Sequence, residues 1–310
     1  MIDDTSFKII IELSRGGRSS NAKIAKKLGI SVLTVAKKIN TMINDGVIAI
    51  KAVPNPNKMG YYANAFIGLD VDLKHVDQVC ANLINNPHVS MVVNCFGRFD
   101  VLINADFLDW EQLQNFVEVD LTRIKGITGI ETFLVSESKK RFKGMFHENP
   151  GENVPVCLDE IDHQLINSLA QNGRPNYADL AKKLKISAST VSRRVTSLEK
   201  EDIIKIMAIP NPSKLGYLAN AFVVLKADLS KVDMICEKLS TFPKIHLVMR
   251  LMNGFDIVFG VHASDSDSLY DFIKNHIAVI DGVLNSETFI RGNFLYFSAG
   301  AMYLPSLNKP

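Results

Sequence analysis

The chain has 310 residues, 47% of them apolar, and a formal net charge of +2, which is enough apolar material for more than one buried core and too much for a disordered chain. Its longest apolar stretches, such as Ala221 to Leu225, fall far short of a bilayer span, and the opening MIDDTSF carries acid where a secretory signal carries base. A soluble cytoplasmic protein with no membrane partner is expected.

The first predicted element is a helix over Asp3 to Leu13, with Phe7, Ile10 and Ile11 at helical spacing, ended by Gly17-Arg18. A short second helix carries Ile24, Ala25 and Leu28 and stops at Gly29-Ile30-Ser31, where the serine can cap the next helix. The third helix, Val32 to Asn44, turns Val35, Ile39 and Met42 inward and leaves Thr34, Lys37 and Lys38 toward solvent. Three short helices with a tight turn before the third outline a helix-turn-helix. Ser19 to Lys38 holds five lysines and no acid, so the positive charge sits on helices two and three.

Beyond Gly46 the pattern turns β-prone at Val47 to Val53, then passes through a turn-rich NPNK loop. Next come a strand (Tyr62 to Val71), a helix (Leu73 to Ile84), two strands (Val89 to Cys95, Phe99 to Ala105), a helix (Trp110 to Ile124) and a strand (Ile130 to Val135). This βαββαβ order is that of a ferredoxin-like α+β domain, whose open apolar sheet face must be covered by something.

The chain then starts again. Val53 to Phe66, VPNPNKMGYYANAF, returns as Ile209 to Phe222, IPNPSKLGYLANAF, identical at ten positions and displaced by 156 residues. The same displacement, without a gap, carries Gly17-Arg18 onto Gly173-Arg174, Asp100 onto Asp256 and Glu131-Thr132-Phe133 onto Glu287-Thr288-Phe289. The expected fold class is therefore α+β, with two copies of a winged helix-turn-helix domain followed by a ferredoxin-like βαββαβ domain. The expected boundaries are 1–53 and 54–140 for copy one, a linker at 141–156, then 157–209 and 210–310 for copy two, the last with a C-terminal tail.

In copy two the third helix, Ala188 to Lys200, faces Val191, Val195 and Leu198 inward, and Arg174 to Arg194 holds six basic residues and one acid. Duplex DNA is the partner this charge suggests, met by Thr34, Lys37 and Lys38 in copy one and by Ser187, Ser189, Thr190, Ser192, Arg193 and Arg194 in copy two. A small helical bundle with a solvated basic face is the plainer alternative. The cysteines Cys80, Cys95, Cys157 and Cys236 lack ligand spacing, and the seven histidines have no nucleophile or metal partner at telling spacing. No catalytic residues, metal or cofactor are expected.

Helix-turn-helix, linking strand and βαββαβ domain in this order, with Asp-Gly-Val-Ile after the third helix and Gly-x-Phe-Asp between the middle strands, resembles the Lrp/AsnC (feast/famine) regulators over nearly the whole chain, twice. The resemblance implies a sequence-specific transcriptional regulator rather than an enzyme. It also implies α+β domains that pair through their sheets, assemble into homo-oligomers and bind an amino acid or similar small effector. The family's Gly-x-x-Asp effector loop falls on Gly97, Arg98 and Asp100, and Thr132 and Thr288 match a frequent family threonine. Glycine lets backbone amides approach a carboxylate and aspartate can receive an ammonium; a plain hairpin turn with a satisfied backbone donor is the other reading. Copy two departs, with Asn253 in the glycine position and Asp256 retained. Two alternatives stand beside the regulator: a sirohaem-decarboxylase-like enzyme on the same architecture, for which His246 and His262 flank the copy-two hairpin, and an effector-sensing assembly without DNA binding.

Overall fold

The computed structural model describes residues 2–86, 88–141 and 156–297. Copy one runs α1 (Asp4–Arg15), α2 (Asn21–Leu28), α3 (Val32–Asn44), β1 (Ile48–Pro54), β2 (Ala63–Val71), α4 (Val76–Ile84), β3 (Val89–Phe96), β4 (Val101–Phe107), α5 (Trp110–Asn115) and β5 (Ile127–Arg141). Copy two repeats the order with α6 (Glu160–Gln171), α7 (Tyr177–Leu184), α8 (Ala188–Lys200), β6 (Ile204–Pro210), β7 (Ala219–Ala227), α9 (Val232–Thr241), β8 (Ile245–Leu251), β9 (Ile257–Ala263), α10 (Ser266–Phe272) and β10 (Val283–Phe297). The fold is α+β and duplicated. The expected linker at 141–156 lies almost wholly outside the described residues, as does the tail beyond Phe297.

The chain divides into two compact units, one holding both helix-turn-helix heads and the other both α+β domains. In the heads, every helix opens on a side chain that accepts a first-turn backbone N–H: Asp3, Ser20 and Ser31 in copy one, Asp159, Asn176 and Ser187 in copy two. Such caps fix where each short helix begins, and each contributes about 1 kcal/mol. β1 and β6 then pair antiparallel, from Ile48 opposite Pro210 to Pro54 opposite Ile204. The first helix of each head packs on the strand of the other, α1 on β6 and α6 on β1. One continuous core results, running from Ile9, Leu13 and Val35 through Ile206 to Leu165, Leu169 and Val191.

The repeated Gly-Arg turn now has a reason. The Gly17 N–H donates to the Ile206 carbonyl and the Gly173 N–H to the Ile50 carbonyl, each at 2.8 Å. A Cβ on Gly17 would lie 2.7 Å from the backbone of Met207, so only glycine fits so close a crossing. Arg174 reaches back to donate to the carbonyls of Gly17 (2.6 Å) and Ser19 (2.8 Å), while Arg18 pairs with Glu199 at 3.0 Å and lies over the Tyr177 ring. The two heads form one body.

The α+β unit is a closed eight-stranded barrel in the order β10-β3-β4-β2-β5-β8-β9-β7. Each last strand joins the copies: β5 pairs with β2 of its own copy and β8 of the other, and β10 with β7 and β3. β5 runs fifteen residues, Ile127–Arg141, where the pattern predicts only Ile130 to Val135: β2 extends its start, and the second partner, β8, carries it on to Arg141. The apolar sheet faces cover each other. Phe66, Phe99 and Phe133 of copy one meet Phe222, Phe255 and Phe289 of copy two in a shared interior, each such ring worth about 1.5–3 kcal/mol on burial. Closure also removes the free sheet edges. The helices cover the outer faces, each copy with its own core. The helix predicted over Trp110 to Ile124 is broken: α5 ends at Asn115 and continues as a π turn (Phe116–Asp120) and a 3-10 turn (Leu121–Arg123).

Candidate nucleic-acid interface and hairpin site

The third helices present unlike faces on matching backbones. Ser31 accepts from the Thr34 N–H at 3.0 Å and its hydroxyl meets that of Thr34 at 2.8 Å; Ser187 does the same with Thr190, and also meets Ser189. Thr34, Ser187 and Thr190 therefore build the helix starts. Lys38 donates to Asp3 and Ser6 at the foot of α1, and that bond holds the Asp3 carboxyl down at about 2. Arg194 likewise grips Asp159 (2.7 Å) and Asp162 (2.8 Å) at the foot of α6, which raises the affinity of its guanidinium for its proton. These two cations brace α3 and α8 against the first helices. Lys37, Ser192 and Arg193 project into solvent, with no ion pair among the described residues. On α3, Val32 (50% exposed) and Leu33 (79%) stand beside them.

In the barrel, each copy's middle hairpin abuts the last strand of the other copy. Gly97, at φ +138°, lies so close to Thr288 that a Cβ would sit 3.3 Å from its carbonyl oxygen. In copy two the equivalent Asn253 uses a side chain instead: its Oδ1 accepts from the Leu134 N–H and its Nδ2 donates to the Thr132 carbonyl, both at 2.7 Å. The amide thus extends the ladder of β5 by one imitation residue. Arg98 lies between the equivalent glutamates, Glu131 and, at 3.6 Å, Glu287. Position 254, its counterpart, is glycine.

Asp100 and Asp256 point the other way. Asp100 accepts from the Val71 N–H at 2.8 Å and Asp256 from the Ala227 N–H at 2.9 Å, so they pin the ends of β2 and β7. The structure thus sets Gly97 against Thr288 and Asn253 against Thr132, spans Glu131 and Glu287 with Arg98, and sets the two aspartates apart. Glu131 and Glu287, which spacing does not single out, face Arg98; the repeated Glu-Thr-Phe tripeptide is the signal in the sequence.

The barrel interior also has unlike ends. His246 on β8 and His262 on β9 stack with ring centroids 3.9 Å apart and planes 5° from parallel, and Asn220 meets His262 Nδ1 at 2.5 Å. Burial holds both rings neutral, with His246 well below its ordinary value and His262 at about 3; the nearby Arg291 charge adds to this. Burial also lowers Arg291 to about 10. Copy one has Ser90 and Asp106 in these places: Ser90 donates within reach of Asn104 (3.1 Å) and Asp106 (3.3 Å), and Asn64 donates to Asp106 at 2.7 Å. Among the described residues no His, Cys, Asp and Glu side chains gather as a metal site.

Two helix-turn-helix heads and two hairpin-bearing βαββαβ domains define a duplicated DNA-binding and ligand-binding architecture. A winged helix-turn-helix DNA-binding family model matches residues 2–49 and 158–205, and the Lrp/AsnC ligand binding domain model matches 64–145 and 220–291. The chain belongs to the Lrp/AsnC family, as a tandem duplication of the whole unit. An uncharacterized HTH-type transcriptional regulator of Pyrococcus horikoshii is 36% identical over 136 residues, 44% of this chain and 86% of the relative. The HTH-type transcriptional regulator LrpA of the same organism is 33% identical over 127 residues, 41% of this chain and 90% of the relative. The crystal structure of the siroheme decarboxylase NirDL aligns over 97% of this chain and 96% of its own, with a TM-score of 0.64 and 14% identity, a likeness of fold.

Proposed function

We propose that the chain is a transcriptional regulator that binds duplex DNA through α3 and α8 and responds to a small effector, an amino acid or similar molecule, at the hairpins of the barrel. The observation that carries this reading is the pairing of two capped third helices in one body, each with an unbraced basic residue, Lys37 or Arg193, on its exposed face. Ser192 adds a hydroxyl for phosphate or base edges. One chain then supplies what two chains of an unduplicated relative would, and further assembly proceeds through the barrel.

For the effector, Arg98 offers a carboxylate partner, and Glu131 and Glu287 offer an ammonium partner beside Gly97, Thr132 and Thr288. Asp100 and Asp256 act indirectly, by holding the hairpins. The test is binding of the full chain to selected duplexes across a salt series. Lys37→Ala lowers the salt slope by about 1, the loss of one phosphate contact, and Arg193→Ala weakens binding. Unchanged affinity and slope in both variants reject this interface.

The stacked pair His246 and His262 favours one second reading, tetrapyrrole decarboxylation on the fold shared with NirDL. Against it, burial keeps both rings neutral and closed on each other, a poor arrangement for proton donation. A perturbed Soret band on mixing with an iron tetrapyrrole would support the enzyme.

A further inference from the structure

We propose that the two heads read unlike half-sites of a non-palindromic operator: α3 a thymine-bearing half through Leu33, and α8 a guanine-bearing half through Arg193. The proposal rests on the DNA-binding reading above and specifies its substrate. Leu33 and Lys37 stand four residues apart on α3, and their equivalents Ser189 and Arg193 stand four apart on α8, so each pair shares one helix face near the capped start. That part of a recognition helix meets base edges in the major groove.

The two faces differ in kind. Leu33 is 79% exposed and Val32 beside it 50%, although the same helix buries Val35, Ile39 and Met42 completely enough to satisfy its core. A solvent-facing leucine in that position is unused by the fold. In the major groove the one apolar feature of a base edge is the thymine methyl, which a leucine covers and a serine does not. In α8, Ser189 is turned to the cap hydroxyl of Ser187, and Arg193 supplies the planar fork that fits guanine O6 and N7; Lys37 has no such fork. The β1–β6 ribbon and the common core keep both faces in one body, so the chain carries a built-in order of half-sites.

The experiment is selection of duplexes from a random-sequence pool with the full chain, followed by anisotropy titrations on the selected duplex. Deoxyuridine replaces thymidine in one half-site at a time, which removes only the methyl. The expected result is a non-palindromic site in which uracil weakens binding about threefold to tenfold in one half only, in line with the loss of one buried methyl or slightly more. Leu33→Ala abolishes that thymine preference and Leu33→Met largely keeps it. Arg193→Lys relaxes the guanine preference in the opposite half and leaves the uracil effect intact. A palindromic site, indifference to uracil, or a uracil effect that survives Leu33→Ala overturns the proposal while DNA binding stands. Failure to select any duplex removes the DNA-binding reading and this one with it.

Discussion

The two copies share a backbone and differ where they touch. Across the heads, Gly17 crosses β6 and Gly173 crosses β1 by the same hydrogen bond, yet a Cβ on Gly17 would lie 2.7 Å from the Met207 main chain, whereas one on Gly173 would meet the Ile206 methyl at 2.9 Å and the Lys51 N at 3.0 Å. Across the barrel, copy one reaches its neighbour with Gly97 and Arg98, copy two with Asn253 and Gly254. Inside, copy one places Ser90 and Asp106 where copy two stacks His246 and His262. Fusion frees each contact from having to complement itself, which a symmetric interface requires. The seam is therefore free to diverge, as are the cores behind it, where Ile103 answers to Phe259 and Phe107 to Ala263.

The crossing glycines give the largest expected effect. Gly17→Ala puts a methyl against the N and Cα of Met207 at 2.7 Å, where no rotamer change can relieve it, and should cost about 3 kcal/mol. Gly173→Ala meets a side-chain methyl first, then Lys51 N at 3.0 Å, and should cost about 1–2 kcal/mol. Urea midpoints of the two variants measure the difference. Equal losses would show that the crossings are equivalent after all.

The histidine end comes next. His262 is held at about 3 in the fold against an ordinary 6.5, so above pH 6.5 it is neutral folded or unfolded and its contribution is complete. Between 6.5 and 3 the unfolded chain takes a proton that the fold refuses, and stability falls as pH falls, by ~2 kcal/mol at pH 5 from this ring. His246 acts in the same direction. Denaturation from pH 7.5 to 5 should show this slope, and His262→Asn should flatten it. A slope unchanged by that substitution would place the acid sensitivity elsewhere.

What was legible beforehand followed from local rules. Helix periodicity, the capping serines Ser31 and Ser187 and the duplicated phrase gave the element order and fold class without long-range information. The full length of β5 was not legible, because residues 136–141 are strand only by virtue of β8, more than a hundred residues away. Lys38 and Arg194 read as solvent-facing by spacing alone; their carboxylate partners sit some thirty residues earlier, at the first-helix caps. The stacked histidines are sixteen residues apart in sequence and become neighbours only through the β8–β9 pairing. Composition contains no trace of such a pairing.

The hairpins give the smallest effects and the sharpest comparison. Asn253→Ala removes both bonds to β5 and leaves the Leu134 N–H to water at a half-exposed seam, a loss of about 1–2 kcal/mol. Arg98→Ala removes an ion pair whose arginine is 46% exposed, worth at most about 1 kcal/mol and less in high salt. The two sites cannot be made alike by exchange. Gly97→Asn would set a side chain at φ +138° with its Cβ 3.3 Å from the Thr288 carbonyl, so it should destabilise rather than recreate the amide clasp of copy two. A Gly97→Asn variant as stable as the parent in thermal unfolding would mean that the two hairpins are interchangeable and that their divergence carries no structural consequence.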